Sequence, residues 1–213
     1  MQKIEAALFD VDGTLLNTAE FVYQACEYTF RVHQLPVRSR AEMTLVMGKP
    51  LEECYRLLSP GEDAYQLCET HRAFQAQNLH LSTPFPNTLE TLRRLKQIGI
   101  KIGAITTRSK RTSLKTLEAG SILSYCDVVI SGEDVQHPKP HSEPLLKALQ
   151  RLAIEPEKAV MIGDTDADIL AGKSAGMMTI GVSYGFHGLR IAESHPNFVI
   201  NDIAEVVPII LRE

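Results

Sequence analysis

The stretch Leu8-Phe9-Asp10-Val11-Asp12-Gly13-Thr14 decides how the rest of the sequence is interpreted, because an apolar run ends there in two carboxylates and a glycine. The run begins at residue 6 and has the pattern of a short strand buried on both faces of a parallel sheet. Ligands of open α/β sheets bind outside the carboxyl ends of the strands, so Asp10 is expected in a crevice rather than in the core. Gly13 allows the chain to turn sharply after the acids.

Asp10 and Asp12 lie one residue apart with no Lys or Arg beside them in sequence. Such a pair repels unless a cation neutralises it, and oxygen ligands favour Mg²⁺. An aspartate can also attack phosphorus to form an aspartyl-phosphate, while a second carboxylate acts as general acid and base. Taken alone, Asp-x-Asp-Gly is as typical of an ordinary loop as of a catalytic site, so the other motifs must decide.

Length and charge narrow the possible classes of protein. A chain of 213 residues suits one full domain and a smaller one. The formal net charge of -4 comes with no basic stripe, so we expect neither a nucleic acid nor a membrane as partner. No apolar run is long enough to span a membrane and residues 1–5 lack a signal-peptide pattern, which predicts a soluble cytoplasmic protein. The sequence does not indicate the oligomeric state.

Helical signals replace strand signals between residues 16 and 82. Apolar residues recur at helical spacing from Phe21 to Val32, which predicts a first helix over residues 19–32 with Thr18 as its N-cap. Further helices are expected over residues 41–47, 51–58 and 64–78. This pattern predicts a helical cap domain over residues 16–82, inserted into a core made of residues 1–15 and 83–213.

The remainder of the chain alternates between helix and strand. Asn87 and Glu90 are predicted to cap a helix that ends near residue 98, and a final helix is predicted to be capped by Asp202 and weakened by Pro208. The alternation predicts an α/β fold with a doubly wound, Rossmann-like parallel sheet. The remaining predicted helices cover residues 110–119, 144–152 and 166–175, and the strands cover residues 100–105, 128–130, 159–162, 179–182 and 198–200.

Polar residues follow three of these later elements. Thr106 and Thr107 end one strand at the start of a helix, an arrangement suited to a phosphate oxygen. Lys139 stands between two prolines and could balance the charge of the acids and a phosphate. Asp164 ends a second buried strand, and Asp168 would fall on the following helical turn and face the same crevice. Asp166 is expected to point elsewhere and to cap that helix.

These motifs, in this order, resemble the haloacid dehalogenase superfamily, in particular its phosphoglycolate phosphatase and phosphoglucomutase-like branch with a helical cap. The resemblance covers almost the whole chain. It rests on Asp-Val-Asp-Gly-Thr at residues 10–14, the hydroxyl of Thr106, Lys139 within Pro-Lys-Pro, and Gly-Asp-Thr-Asp-Ala-Asp at residues 163–168.

The resemblance implies a role for each matching residue. Asp10 would be the nucleophile and Asp12 the acid and base, while Thr106 and Lys139 would bind the transferring phosphoryl group. Mg²⁺ would be held by Asp10, the Asp12 carbonyl and Asp164, with Asp168 supporting the metal-bound waters. The implied activity is Mg²⁺-dependent hydrolysis of a small phosphorylated metabolite, a phosphoglycolate-like or sugar monoester, through an aspartyl-phosphate. Dehalogenases of this family lack the second acid, so Asp12 argues for phosphoryl transfer.

Some positions differ from the family pattern and bear on the substrate. Asn17, Thr107 and Ser142 stand where Asp, Asn and Pro are common, which affects substrate contacts rather than the chemistry. Mutase relatives commonly carry an Arg after the cap glycine, where this chain has Lys49, and a His early in the first cap helix, where it has Phe21-Val22-Tyr23. Hydrolysis is therefore favoured over transfer, and Lys49 and Thr107 are candidate substrate contacts.

Three alternatives stay open beside this interpretation. Inorganic pyrophosphate is a possible substrate, and a β-phosphoglucomutase-like phosphotransferase is a possible activity. A phospho-accepting receiver module also uses an acid pair, a Thr and a Lys on a doubly wound sheet. Its phosphorylated Asp lies on a middle strand after the acid pair, however, whereas Asp10 comes first here and a second acid group follows Lys139.

Overall fold

A computed structural model describes residues 3–212 and has a six-stranded parallel sheet at its centre. Strand β1 lies in the middle of the sheet, flanked by β4 and β6, and every residue of β1 is buried. A separate two-residue ribbon pairs β2 with β3 in antiparallel fashion. The strands of the large sheet, in spatial order, are β5 (Val128–Ile130), β4 (Lys101–Ile105), β1 (Ala6–Asp10), β6 (Ala159–Gly163), β7 (Met178–Val182) and β8 (Phe198–Ile200), and the ribbon consists of β2 (Leu16–Asn17) and β3 (Thr83–Pro84).

Helices cover both faces of this sheet because successive side chains of each strand point to opposite sides. Ala7 and Phe9 of β1 pack into one apolar cluster, and Ala6 and Leu8 pack into another. The α/β fold predicted from the sequence is therefore confirmed. The helices of the first face are α5 (Thr88–Gln97), α6 (Lys110–Ala119) and α9 (Val206–Leu211), and those of the second are α7 (Glu143–Leu152) and α8 (Asp166–Ser174).

The segment between β2 and β3 is helical and has an apolar cluster of its own. Phe30, Met43, Tyr55 and Leu67 lie at the centre of this cluster, and none belongs to the clusters of the sheet. The chain enters and leaves the segment through the β2–β3 ribbon. The division into a cap over residues 16–82 and a core remains a prediction. The helices are α1 (Ala19–Val32), α2 (Arg40–Thr44), α3 (Leu51–Leu58) and α4 (Ala64–Gln77).

Helix boundaries differ from the prediction where local bonds tighten the chain. The helix predicted over residues 41–47 ends at Thr44, because the amides of Val46 and Met47 bond to carbonyls three residues back. Pro208 does not weaken the last helix. It lies in the first turn of α9, where the missing N–H has no intrahelical partner to lose.

Two of the predicted helix caps are wrong for tertiary reasons. The side chain of Thr18 is buried and makes no capping hydrogen bond to α1. Asn87 has a left-handed backbone with φ of 64°, and its side chain donates to Asp202 Oδ2 at 2.7 Å instead of capping α5. Glu90 pairs with Arg93. Asp202 does not cap α9 directly: its carboxylate accepts from the Ala204 amide at 2.8 Å and caps the 3-10 turn Ile203–Glu205, which leads into α9.

The structure also bears on the predicted absence of a membrane span. Between residues 3 and 212 no helix combines the length and the apolar character that crossing a bilayer requires. The cytoplasmic location remains a prediction.

Paired truncations test the division into two units. Phe30 belongs to the helical cluster and Phe9 to the sheet, and both are fully buried. If residues 16–82 form their own unit, Phe30→Ala should destabilise only that unit and Phe9→Ala only the core, each by about 3–5 kcal/mol. Urea unfolding followed by hydrogen exchange in each region measures the two effects. A single transition that both variants shift equally would contradict the division.

Candidate active site

Three buried carboxylates meet where β1 and β6 end. Phe9 is in register with Ile162, so Asp10, the last residue of β1, and Asp164, the first residue after β6, lie near each other. Asp168 lies on the first turn of α8 and returns to the same place. The carboxylate oxygens of Asp10, Asp164 and Asp168 lie within 4.8 Å of one another, and all three residues are buried. The structure thus brings together three of the four acids predicted to form the site.

Lys139 supplies the positive charge inside this cluster. Its Nζ donates to Asp10 Oδ1 at 2.5 Å and to Asp168 Oδ1 at 2.6 Å, and only 3% of its side chain is exposed. The loop before α7 delivers the lysine with a proline on each side. An ammonium held in this way can bind an anionic group that arrives at Asp10.

The charges of the cluster do not balance. Burial is the main reason why the pKa of Asp10 rises to about 7, although Lys139 opposes the rise. Burial and repulsion from Asp10 and Asp168 raise the pKa of Asp164 well above its ordinary value. Three carboxylates face one ammonium, so a divalent cation with a preference for oxygen ligands fits the donor set.

Asp164 is held in place by its neighbours in the loops after β1 and β7. Its Oδ1 accepts from the Thr14 hydroxyl at 3.2 Å, and its Oδ2 accepts from the Phe186 amide at 2.7 Å. Gly13 has φ of 83°, and a Cβ there would lie 2.2 Å from Asp164 Oδ2. The glycine after the acid pair is therefore required both for the turn and for the approach of Asp164.

Asp168 also takes part in capping α8, a role that the sequence analysis predicted for Asp166. Its Oδ2 accepts from the amide and the hydroxyl of Thr165, at 3.1 Å and 2.7 Å, and closes a capping box at the start of α8. Asp166 is exposed, and its carboxylate accepts from the adjacent Ala167 amide. The prediction that Asp166 caps α8 is wrong, because Thr165 occupies the N-cap position.

Asp12 does not join the carboxylate cluster with its side chain. Its two oxygens accept from Nε and Nη2 of Arg108, each at 2.7 Å. Although burial opposes it, this guanidinium holds the pKa of Asp12 below its ordinary value. The arrangement keeps Asp12 ionised, with both of its oxygens bound to Arg108.

Arg108 also links this loop to the helical segment. Its Nη1 donates to Gln75 Oε1 on α4 at 3.0 Å, and its guanidinium lies over the ring of Phe21 on α1, 5.2 Å from the centroid. The sequence analysis missed this residue. The sequence did contain a signal for Arg108: it lies two residues after Thr106, at a strand end that carries a predicted site residue.

The two threonines after β4 have different surroundings. Thr106 is buried, and its hydroxyl accepts from the Arg108 amide at 3.1 Å. Thr107 is partly exposed, and its hydroxyl is 3.5 Å from the main-chain oxygen of Lys49. Helix α6 begins only at Lys110, with the Ser109 hydroxyl accepting from the Thr112 amide.

A cavity of about 370 Å³ opens between this site and the helical segment. Lys49 lies on its wall, but the Nζ of Lys49 is paired with Glu53 of α3 at 2.8 Å. The structure therefore places Lys49 in the cavity without bringing it into the carboxylate cluster. Other residues that line the cavity are Asp10, Asp12, His71, Arg108 and Phe186.

The chain belongs to the haloacid dehalogenase-like hydrolase family, whose model matches residues 7–182. It is 32% identical to pyrophosphatase PpaX of Bacillus cereus strain AH820 over 210 residues, which cover 98% of this chain and 97% of that one. Because the family consists of enzymes, the receiver alternative is set aside.

Solved structures share the fold. A structure assigned as a haloacid dehalogenase-like hydrolase from Bacteroides fragilis has a TM-score of 0.86 at 30% identity, covering 96% of this chain and 100% of that one. A predicted phosphoglycolate phosphatase from Haemophilus somnus 129pt has a TM-score of 0.87 at 23% identity and covers 98% and 99% of the two chains. The second comparison supports the fold alone.

A double-mutant cycle tests the pairing of Asp12 with Arg108. Each of Asp12→Asn and Arg108→Gln leaves a largely buried charge without its partner, so the two losses of unfolding free energy should not add. We expect a coupling of about 1–3 kcal/mol from chemical denaturation. The exposed pair Glu90 and Arg93 is the control, with about 0.5 kcal/mol expected. Additive losses at Asp12 and Arg108 would contradict the pairing.

Proposed function

We propose that the protein is a Mg²⁺-dependent phosphatase that hydrolyses a small phosphate monoester through an aspartyl-phosphate on Asp10. The observation that carries this proposal is the buried cluster of Asp10, Asp164 and Asp168 around the single ammonium of Lys139. Phosphoglycolate-like esters and sugar phosphates are the substrate class we favour. Inorganic pyrophosphate is the second candidate, because the 32% identical relative is named a pyrophosphatase.

The metal-binding residues in this proposal are Asp10 and Asp164 through their carboxylates and Asp12 through its main-chain carbonyl, with Asp168 in support. When bound, Mg²⁺ would neutralise the carboxylates and stabilise negative charge on the phosphoryl oxygens. The excess of carboxylates over ammonium groups supports this assignment.

The chemistry divides between the two acids of the first motif. An oxygen of Asp10 attacks phosphorus as the bond from phosphorus to the leaving oxygen breaks, and Asp12 donates a proton to that oxygen. Water then attacks the aspartyl-phosphate, gives a proton to Asp12 and releases phosphate from Asp10. Lys139 and Thr106 bind the phosphoryl oxygens throughout. Asp12 is ionised while Arg108 holds both of its oxygens, so before the first step it must leave the guanidinium and take up a proton from solvent.

The helical segment takes the role of a cap in this proposal. Residues 15–18 and 82–86 form the hinge, which contains the β2–β3 ribbon through which the segment joins the core. Closure excludes water from the site and brings Lys49 and Thr107 toward the part of the substrate that leaves. Lys49 would break its ion pair with Glu53 and bind a substrate anion instead. It stands at the position where mutase relatives commonly carry an arginine.

Metal substitution tests the proposed cofactor. We expect turnover of an aryl phosphate to require Mg²⁺, to stop after chelation and to return when Mg²⁺ is added back. Ca²⁺ should inhibit, because it takes more ligands at longer distances and disturbs in-line attack. Full turnover after exhaustive chelation would contradict the assignment.

Two conservative variants separate the roles of the acids. Asp10→Asn removes the nucleophile, so neither phosphoenzyme nor product should form. Asp12→Asn removes the proton donor, a contribution of about 10²–10⁴-fold, so an alkyl phosphate should lose more rate than an activated aryl phosphate. Hydroxylamine-sensitive labelling detects the phosphoenzyme. Labelling of Asp10→Asn, or equal rate losses for the two substrates in Asp12→Asn, would overturn these roles.

A further inference from the structure

A second cavity of about 410 Å³ lies between α4 of the helical segment and the first turns of α6. Neither Asp10 nor Asp12 lines it, so it is distinct from the cavity over the carboxylates. We call it the basic cleft, because four of its lining residues are cations. Its charged residues are Glu69, Arg72, Arg108, Arg111, Lys115 and Glu133.

Arg111 and Lys115 are the cations of this cleft that have no partner. They lie one turn apart on the same face of α6, both are exposed, and neither forms a hydrogen bond or ion pair with any residue in the range 3–212. Like charges at this spacing destabilise a helix by about 0.2–0.5 kcal/mol. An anion bound between them would remove that repulsion.

The other charges of the cleft are already engaged. Arg72 pairs with Glu69 at 2.7 Å, and Arg108 pairs with Asp12. Glu133 accepts from the Lys110 amide at the start of α6. Because that amide is neutral, the Glu133 carboxylate keeps its charge and offsets only one of the two unpaired cations, Arg111 and Lys115. The net charge facing the cleft is therefore positive.

The basic cleft adjoins the cavity over the carboxylates. The pair of Arg108 and Gln75 belongs to the lining of both, so it stands in their common wall. A molecule with one phosphoryl group at Asp10 reaches the cleft only if it extends past Arg108. Arg111 and Lys115 line the basic cleft but not the cavity that contains Asp10, so a substrate that engages both sites needs its second anion several bonds away from the reacting phosphorus.

We propose that the basic cleft binds a second anionic group, carried by the leaving portion of the substrate. This inference rests on the proposed phosphatase activity and narrows its substrate class to phosphate esters with a distant phosphate or carboxylate. Charge-assisted hydrogen bonds from Arg111 and Lys115 would recognise either group. A sugar bisphosphate fits this description better than pyrophosphate does.

Charge-neutral substitutions at the two residues test the proposal. The variant Arg111→Gln/Lys115→Gln is compared with the control Lys110→Gln/Arg94→Gln, which removes the same charge from exposed positions that line neither cavity. The substrates are nitrophenyl phosphate, which has no second anion, a hexose bisphosphate, and a phosphorylated sugar acid whose carboxylate stands at the far end of the carbon chain. Steady-state kinetics in saturating Mg²⁺ give kcat and KM for each.

We expect KM for the bisphosphate to rise about 10-fold or more in the test variant, the value of one charge-assisted bond, with kcat within about twofold. The KM for nitrophenyl phosphate should stay unchanged, and the control should behave as the wild type. A rise of KM confined to the bisphosphate assigns the second group as a phosphate, and a rise confined to the phosphorylated sugar acid assigns it as a carboxylate.

Three results would overturn the proposal. The first is an unchanged KM of the test variant for both doubly anionic substrates. The second is an equal rise of its KM for all three substrates, and the third is the same rise of KM in the control variant. If the wild type hydrolysed none of the substrates, the proposed function would fail. Calorimetry would then compare the affinities of the wild type and the test variant for the bisphosphate. Equal affinities would exclude anion binding by the basic cleft.

Discussion

The structure of the site depends on one buried ammonium placed among three carboxylates. Lys139 bonds to Asp10 at the end of β1, to the main-chain oxygen of Ile105 at the end of β4 and to Asp168 on α8, and its side chain is almost fully buried. Removing two or three carboxylates from water without such a partner costs several kcal/mol per ion, by a rough estimate. The lysine therefore lets the acids gather at the edge of the sheet, and it leaves the excess negative charge that suits a divalent cation.

The parallel sheet supplies the geometry for this cluster. Strands β1 and β6 lie side by side in register, and the turns after them carry the reactive acids. Helix α8 then begins with a capping box in which Asp168 uses one oxygen for the helix and the other for Lys139. The same side chain thus stabilises the start of a helix and fixes the lysine, so the fold and the site share their interactions.

Arg108 connects the site to the helical segment. It holds both oxygens of Asp12, contacts Gln75 of α4 and covers the ring of Phe21. Any movement of the segment that separates Gln75 and Phe21 from the guanidinium changes the environment of Asp12. In the proposed mechanism, this link couples closure of the cap to the release of Asp12, the proton donor. Arg108 also stands in the wall between the active-site cavity and the basic cleft.

The sequence by itself determined the elements, the α/β class and which residues stand at the strand ends. Helical periodicity and buried apolar runs are local properties, and the carboxyl ends of parallel strands share one edge, so the meeting of Asp10, Asp164, Asp168 and Lys139 could be predicted. The capping box of Thr165 and Asp168 is also local, because it joins residues three positions apart. Only the tertiary structure decided that Asn87 bonds to Asp202 instead of capping α5 and that Asp12 turns to Arg108. The pairing of Asp12 with Arg108 joins residues 96 positions apart. Such contacts depend on how segments far apart in sequence pack together, and no periodicity along the chain encodes that packing.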